Sequence, residues 1–332
     1  MVKVAINGFG RIGRMVLKAG IKDKKIDFVA INDLTPTSTM AHLLRYDSVH
    51  GPFPGTIEAK DNSMVVNGSK IKVVSEKDPT KLPWKKLGVD IVVESTGIFR
   101  TKELASLHLK AGAKKVLLSA PPKGEGIKQI VKGINEHTIE KDDKIISNAS
   151  CTTNCFAPMA KVINDNFGIE GGVMNTIHAY TSDQRHIDGP HKDLRRARAA
   201  AVNIVPTSTG AAKAVQKVIP QLKGRLYAAS IRVPVPDGSM VIFVAEINKS
   251  PTVEEVNALF KNVSKSHLKG VLEYSEEALV STDILGNPHS CIFDSQLTRR
   301  VDDNILHVLG WYDNEWGYSC RMIDIAKIMA KK

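Results

Sequence analysis

The apolar, β-branched run Val2-Lys3-Val4-Ala5-Ile6-Asn7 leads straight into Gly8-Phe9-Gly10-Arg11-Ile12-Gly13, and helical character follows from Arg11 to Ala19. No other feature restricts the fold of this chain so severely. A short continuous apolar run reads as a strand buried on both faces, the habit of a parallel sheet. Gly8 permits the tight turn, Gly10 lets backbone approach a pyrophosphate, and Gly13 lets helix and strand pack closely. A second strand, Ile26 to Asn32, ends in Asp33, 20 residues beyond Gly13. An acid at that place takes the hydroxyls of an adenosine ribose and repels a 2′-phosphate. The spacing therefore predicts a dinucleotide site that prefers NAD to NADP.

Further βα units are expected downstream. Val89 to Ser95 reads as a strand ending at Thr96-Gly97, Glu103 to Ala111 as a helix stopped by Gly112, and Lys114 to Ser119 as a strand halted by Ala120-Pro121-Pro122. Gly51 to Gly55 reads as a loop, and neither an internal repeat nor a low-complexity segment is visible. Ligands of open α/β sheets collect at the carboxyl ends of the strands. Asp33, Thr96, Ser119 and Cys151 all stand at such ends.

Cys151 lies where the strand Lys144-Ile145-Ile146 gives way to a helix running through Phe156 to Ile163. Unpaired N–H groups and the positive end of a helix dipole both favour a thiolate, the nucleophilic form of cysteine. Cys151 is thus a candidate for covalent catalysis, and Cys155, one turn on, is expected to face inward. The two could share a metal, but no C-x-x-C pair or paired histidine motif supplies the remaining ligands, so no metal site is assigned. The strand Val173 to Ala179 carries His178, an imidazole able to serve as base to the thiol. A long loop, Tyr180 to about Ala201, contains the basic run His191 to Arg198, which suits a solvated face, a subunit contact or an anion site. Arg232, after Tyr227 to Ile231, and Thr207-Ser208-Thr209-Gly210, opening a helix, are stronger anion candidates.

Composition excludes some classes. A chain of 332 residues can bury two sizeable cores. No stretch approaches the ~20 apolar residues of a membrane span. A strand beginning at the second residue leaves no room for a signal peptide, and four cysteines without a framework pattern suit a reducing compartment, so a cytoplasmic location is expected. The formal charge of +11 suits anionic ligands and at most nonspecific contact with nucleic acid.

Four segments carry a family resemblance: Ile6 to Arg14, Ser147 to Cys155, Thr209-Gly210-Ala211-Ala212-Lys213-Ala214, and Trp311 to Tyr318. On these the chain resembles the phosphorylating, NAD-dependent glyceraldehyde-3-phosphate dehydrogenases of bacterial type over essentially its whole length. The resemblance implies an α/β protein with a Rossmann-type doubly wound NAD-binding domain, residues 1–150, and an α+β catalytic domain with a mainly antiparallel sheet, residues 151–314. A C-terminal helix within 315–332 would pack back on the first domain.

The resemblance further implies Cys151 as nucleophile and His178 as its base. The cofactor would meet Gly8, Gly10, Arg11, Ile12, Gly13, Asp33, Thr96, Ser119, Asn314 and Tyr318. Thr181, Arg196 and Arg232 would hold the substrate phosphate, and Ser150, Thr152, Thr209 and Gly210 the inorganic phosphate. Arg195 and Arg198 are neighbours that could take the place of Arg196. A homotetramer is implied, with glyceraldehyde 3-phosphate and inorganic phosphate as partners. Three alternatives stand beside this reading. Pro288-His289-Ser290 and Asn314-Glu315-Trp316-Gly317 look somewhat like erythrose-4-phosphate dehydrogenase, but Thr181 and Thr209-Gly210 keep the triose pattern. An NADPH-producing direction is opposed by Asp33 and Gly189-Pro190. An RNA-binding role lacks any aromatic-and-basic motif.

Overall fold

Strand β1 (Val2–Asn7) is buried from Val4 onward and pairs in parallel with β2 (Ile26–Asn32) on one side and β6 (Ile91–Glu94) on the other. A strand flanked on both sides and covered on both faces is apolar along its length, which explains the lack of alternation in its sequence. The computed structural model describes residues 1–332 and divides into two units. The first comprises Met1–Ile130, Glu136–Ala149 and Ser319–Lys332. Its sheet continues from β6 through β7 (Lys115–Leu118) and β9 (Ile145–Ser147) to β8 (Lys128–Gln129), and from β2 to β5 (Ser69–Val74), all in parallel. The hairpin of β3 (Ile57–Lys60) and β4 (Ser63–Val66) adds an antiparallel edge beside β5.

Helices α1 (Arg11–Gly20), α2 (Thr37–Arg45), α3 (Trp84–Leu87) and α4 (Lys102–Lys110) connect these strands. Helix α1 buries Met15, Val16 and Leu17. Trp84 is fully buried among Ala5, Ala30, Val89 and Val92, a side chain whose removal from water contributes roughly 3 kcal/mol. This is the doubly wound α/β arrangement. Helix α4 starts one residue before its expected start because Thr101 caps it, its hydroxyl accepting from Leu104 N at 3.2 Å. The last helix, α8 (Trp316–Met329), contributes Lys327, which donates to Asp23 at 2.7 Å, and Ile323, which lies against Gly20.

The second unit comprises Val131–Asn135 and Ser150–Tyr318. Its strands run in the order β11 (Val205–Thr207), β12 (Leu226–Val233), β10 (Ile169–Ala179), β13 (Ser239–Ile247), β17 (Ile305–Tyr312), β15 (Cys291–Asp294) and β14 (Leu272–Ser275), with β16 (Arg299–Val301) also on β17. Only β10–β12 and β14–β15 are parallel, so the sheet is mainly antiparallel. β13 alternates buried and half-exposed residues, the pattern of a sheet with one covered face. Helices α5 (Cys151–Phe167), α6 (Ala211–Val218) and α7 (Val253–Lys265) complete the unit, and Phe156 of α5 meets Phe243 of β13 edge-on, centroids 4.8 Å apart. β10 starts at Ile169, not Val173 as expected. Gly171 and Gly172 carry no side-chain signal for a strand, yet both pair with β13.

Candidate active site

In the first unit the glycine turn is held by its surroundings. Gly8 has φ 92°, and a Cβ there would come within 2.7 Å of Thr96 N. A Cβ on Gly13 would lie 2.2 Å from the Gly8 carbonyl oxygen, so only glycine lets α1 start this close to β1. Gly10 differs: it caps α1 without a side-chain hydrogen bond, and a Cβ there would meet nothing within 4 Å. The uncapped first turn therefore faces open space, the cradle that a pyrophosphate needs. Asp33 accepts from Phe9 N at 2.6 Å and from Thr35 N at 2.9 Å, which fixes the carboxylate beside the turn with lone pairs remaining for ribose hydroxyls. The residues present fit a dinucleotide.

Ile12 lies half-buried in the first turn of α1, and Ser119 follows β7 with its N–H on the Glu94 carbonyl at 3.0 Å. The Arg11 guanidinium is engaged by Asp47 at 3.0 Å, and Lys18 joins the same carboxylate at 3.2 Å. Burial of Asp47 is outweighed by the N–H groups of His50 and Val49 and by Arg11, which together hold its carboxyl far below the usual range. Thr96 donates to Glu94, whose other oxygen accepts from Asn7 at 2.6 Å and His108 at 2.9 Å. Trp84 Nε1 donates to His108 Nδ1 at 3.1 Å, so the proton of this buried imidazole sits on Nε2. Sequence reading missed Glu94, His108 and Asn7. They are single polar residues inside apolar patterns, and only the sheet brings them together.

In the second unit Cys151 is the first residue of α5. Ser150 caps the helix, its hydroxyl accepting from Thr153 N at 3.1 Å. Ala149, just before the cap, has φ 54°, an uncommon left-handed conformation for a residue with a Cβ and of the kind found at functional turns. Cys151 Sγ lies 3.5 Å from His178 Nε2. His178 Nδ1 lies 2.7 Å from the Ala179 carbonyl oxygen and 3.1 Å from Arg232 Nη1; the shorter contact, to an oxygen that can only accept, assigns the proton to Nδ1 and leaves Nε2 to accept from the thiol.

The register of the parallel pair β10–β12 sets His178 directly beside Arg232. Arg232 therefore sits at the end of β12, one residue before its last, Val233. Its Nη1 reaches Ala179 O at 3.0 Å and Thr181 Oγ1 at 3.3 Å, and its buried Nε has no partner within the protein. An orphaned guanidinium donor of this kind suits an anion.

Helix position favours the Cys151 thiolate, and burial opposes it. Burial pushes the thiol up to about 11, more than Arg232 and the Thr152 N–H offset, and burial followed by Arg232 pushes the His178 imidazolium down to about 3. Both shifts favour the uncharged thiol and imidazole. The reactive ion pair forms by one proton crossing from Sγ to Nε2, which creates both charges side by side and lets each stabilise the other.

Arg196 is the half-buried member of its basic run. It donates through Nε to Thr207 Oγ1 at 2.9 Å, through Nη2 to Ser208 O at 3.2 Å and through Nη1 to Asp183. Arg195 is exposed and Arg198 pairs with Asp188 at 2.8 Å. Thr209 Oγ1 accepts from Ala211 N at 3.2 Å, and Gly210 caps α6 with open space before it. Thr152 is committed elsewhere: Thr176 donates to Met240 O, so Tyr312 donates to Thr176 and accepts the Thr152 proton, each at 2.9 Å. Asn314 Oδ1 accepts from Ser239 at 2.5 Å, which leaves its amide N–H groups for a carbonyl acceptor. Tyr318 is buried in the first turn of α8. Asp237 and Asp313, also missed, form a buried acid pair. Burial, then Asp313, pushes the Asp237 carboxyl well above the usual carboxylate range.

Comparison with known proteins adds to this geometry. Residues 2–102 match the family model described as glyceraldehyde 3-phosphate dehydrogenase, NAD binding domain, and residues 150–314 match that of the C-terminal domain. The chain is 55% identical to a glyceraldehyde-3-phosphate dehydrogenase of Geobacillus stearothermophilus over 332 residues, which covers 100% of this chain and 99% of the relative. It is 52% identical to glyceraldehyde-3-phosphate dehydrogenase 2 of Bacillus subtilis over 332 residues (100% and 97%) and 53% identical to the enzyme of Borreliella burgdorferi over 337 residues (99% and 100%).

Proposed function

The chain belongs to the glyceraldehyde-3-phosphate dehydrogenase family and has that NAD-dependent oxidoreductase activity, and from this premise we propose how its residues carry out the phosphorylating oxidation of D-glyceraldehyde 3-phosphate to 1,3-bisphosphoglycerate. The observation that carries the reading is the Cys151 Sγ–His178 Nε2 contact of 3.5 Å, with Arg232 beside His178 on the neighbouring strand. Cys151 gives its proton to His178 and attacks the aldehyde carbon. The oxyanion, stabilised by the Cys151 N–H and the imidazolium, takes up the proton to become a hemithioacetal. His178 then removes the hydroxyl proton as hydride departs, and a Cys151 thioester results. When bound, NAD supplies the hydride acceptor. Inorganic phosphate attacks the thioester carbonyl, and the Cys151 thiolate leaves with release of the acyl phosphate.

Thr181 and Arg232 are assigned to the substrate phosphate on the strength of their hydrogen bond and the orphaned Arg232 Nε, and Arg196 is assigned with them from the family resemblance. Ser150, Thr209 and Gly210 are assigned to inorganic phosphate, with Thr152 acting there through its backbone N–H since its hydroxyl proton is spent on Tyr312. Arg11 and Ile12 would serve the pyrophosphate through backbone N–H groups of the uncapped α1, with Gly8, Gly10 and Gly13 shaping the turn. Asp33 would take the adenosine ribose, and Thr96 and Ser119 would line the strand ends. Asn314 would donate to the nicotinamide carboxamide, with Tyr318 near it.

The domain boundaries proposed are 1–150 with the helix in 315–332, and 151–314. A homotetramer is supported by the exposed apolar side chains of Ile187, Leu194, Val202 and Ile204, which fall within one stretch of 18 residues. No helix of the chain is long and apolar enough to cross a membrane, and all four cysteines are free thiols, which supports the cytoplasm. The deciding experiment is NADH formation from glyceraldehyde 3-phosphate with and without inorganic phosphate, beside erythrose 4-phosphate and NADP. Fast reduction that requires phosphate is expected. Indifference to phosphate would remove the acyl-phosphate step and keep the Cys–His hydride chemistry.

A further inference from the structure

The first unit has a second concave site, at the end of the sheet opposite the glycine turn. A cavity of about 580 Å³ opens where β1, β6, β7 and β9 begin, lined there by Val2, Ile91, Lys115 and Lys144. Nine lysines surround it, with Asp90 the one acidic side chain in its wall. Lys114 is paired with Asp90 at 2.7 Å and Lys327 with Asp23 at 2.7 Å. Six others, Lys24, Lys25, Lys141, Lys144, Lys331 and Lys332, form no ion pair with any carboxylate. Lys115 is buried, and its ammonium donates only to the Met329 carbonyl at 2.9 Å. Burial, then the Lys144 charge, draws its pKa down, against the opposing charges of Asp143 and Asp142.

Lysines that follow helix C-termini complement the helix dipole, and Lys24, Lys25, Lys331 and Lys332, which follow α1 and α8, could be there for that reason. Lys115 and Lys144 are held at the starts of strands, and Lys141 follows only the single 3₁₀ turn Glu136–Thr138. They lie in or just before strands β7 and β9, so dipole balance does not account for them.

We propose that this cavity is a binding site for a triphosphate chain, carried by a nucleoside triphosphate or by inorganic polyphosphate. Its volume lies in the range of small-ligand sites. Six ammonium groups without an ion pair call for a compact ligand with several negative charges, beyond what one phosphate offers. The cavity is short and concave, neither the long track that a nucleic acid strand follows nor a flat face for a membrane. Lysine serves as a point-charge phosphate ligand, with its aliphatic stem covering the apolar floor of Val2, Ile91 and Met329.

The test is calorimetric titration of the NAD-saturated full chain with tripolyphosphate, ATP and inorganic phosphate, repeated on the triple variant Lys24→Glu, Lys144→Glu, Lys331→Glu. Saturation with NAD separates this site from the dinucleotide site. One tripolyphosphate per chain is expected, bound at least about tenfold more tightly than inorganic phosphate, and weakened at least about tenfold in the variant with NAD affinity unchanged. Tighter binding of ATP would name a nucleoside triphosphate as the source, and equal binding inorganic polyphosphate. The proposal is overturned if tripolyphosphate does not bind, or binds the variant equally. It is also overturned if single-stranded RNA alone binds this face. Lysines that only balance helix dipoles would give no binding and a lower melting temperature in the variant. Since the exposed Lys24, Lys144 and Lys331 can be replaced singly, each single variant checks the result should the triple one not fold.

Discussion

The two units build their sites from different materials. In the first, the dinucleotide cradle is mostly backbone: three glycines and the uncapped N–H groups of α1 lie within six consecutive residues, with the Asp33 carboxylate hydrogen-bonded to the turn at Phe9 N. In the second, the site is mostly side chains, and Cys151, His178, Thr181, Arg196 and Arg232 meet only because α5, β10, β12 and a loop converge. A backbone site is sensitive to any added atom and indifferent to most side-chain chemistry. A side-chain site is sensitive to the identity of each group. Substitutions in the second unit should therefore change the reaction and leave the fold, and substitutions in the glycine turn should change the fold or cofactor binding and leave the chemistry.

The largest separation is expected from Cys151→Ser. An alkoxide is far harder to form than a thiolate, so turnover should fall by about 10⁴-fold or more, as for other lost nucleophiles. NAD affinity, followed by quenching of tryptophan fluorescence, should stay within a factor of about two. A variant that lost NAD binding to the same degree would show that the two sites are not built independently.

His178→Asn comes next, with kcat expected to fall by about 10²–10⁴-fold, the range for a general base. Alkylation of Cys151 by iodoacetamide at neutral pH should slow in parallel. Unchanged alkylation would sink the proton transfer from Sγ to Nε2. The same residue also gives a pH signature. Its folded pKa, about 3, lies below the unfolded value of 6.5, so the unfolded chain binds the extra proton first. Its contribution to stability is present above 6.5 and is lost as pH falls toward 3. Denaturant unfolding across that window should show a shallower loss for His178→Asn than for the parent chain, and identical slopes would mean that the imidazole is not held neutral by burial.

This contrast also explains what could be read in advance. The glycine turn, Asp33 and the Cys151 motif are local, so strand, turn and helix signals fall within a few residues and each could be read from sequence. The neighbourhood of His178 could not, because a lone histidine in a strand carries no sign of its partner. Only the β10–β12 register sets it beside Arg232. Asp237–Asp313 and Glu94–His108 were hidden for the same reason: buried polar pairs are made by long-range packing, and each member alone resembles a loop acid or an apolar-run exception. For the thiol, the dipole of α5 could be read from sequence and the burial that opposes it could not.

Within the glycine turn a pair of substitutions sharpens the comparison. Gly13→Ala puts a methyl 2.2 Å from the Gly8 carbonyl oxygen, a backbone atom that cannot step aside, and should cost about 1–3 kcal/mol of stability as overpacking does. Gly10→Ala meets no protein atom and should leave the melting temperature of the cofactor-free chain unchanged, while NAD binding weakens by about tenfold or more because the methyl occupies the cradle. Equal destabilisation by the two would mean that Gly10 is structural and that the open space before α1 has no ligand to serve.

Asp33 is the exception inside the backbone-built site, and Asp33→Asn should have the smallest effect. Each carboxylate oxygen of Asp33 accepts one backbone N–H, from Phe9 and from Thr35. Asparagine keeps one acceptor and turns an NH₂ toward the other N–H, so about 1 kcal/mol of stability should be lost with that hydrogen bond. Removal of the charge has a separate result: the penalty against a 2′-phosphate falls, and the preference for NAD over NADP should shrink by about tenfold, seen as the ratio of kcat/KM for the two cofactors. A stability loss with unchanged cofactor preference would make Asp33 part of the turn alone. A changed preference without stability loss would make it a recognition group resting on a turn that folds without it. The geometry predicts both effects, because the same two oxygens that tie Asp33 to the loop aim their remaining lone pairs away from it.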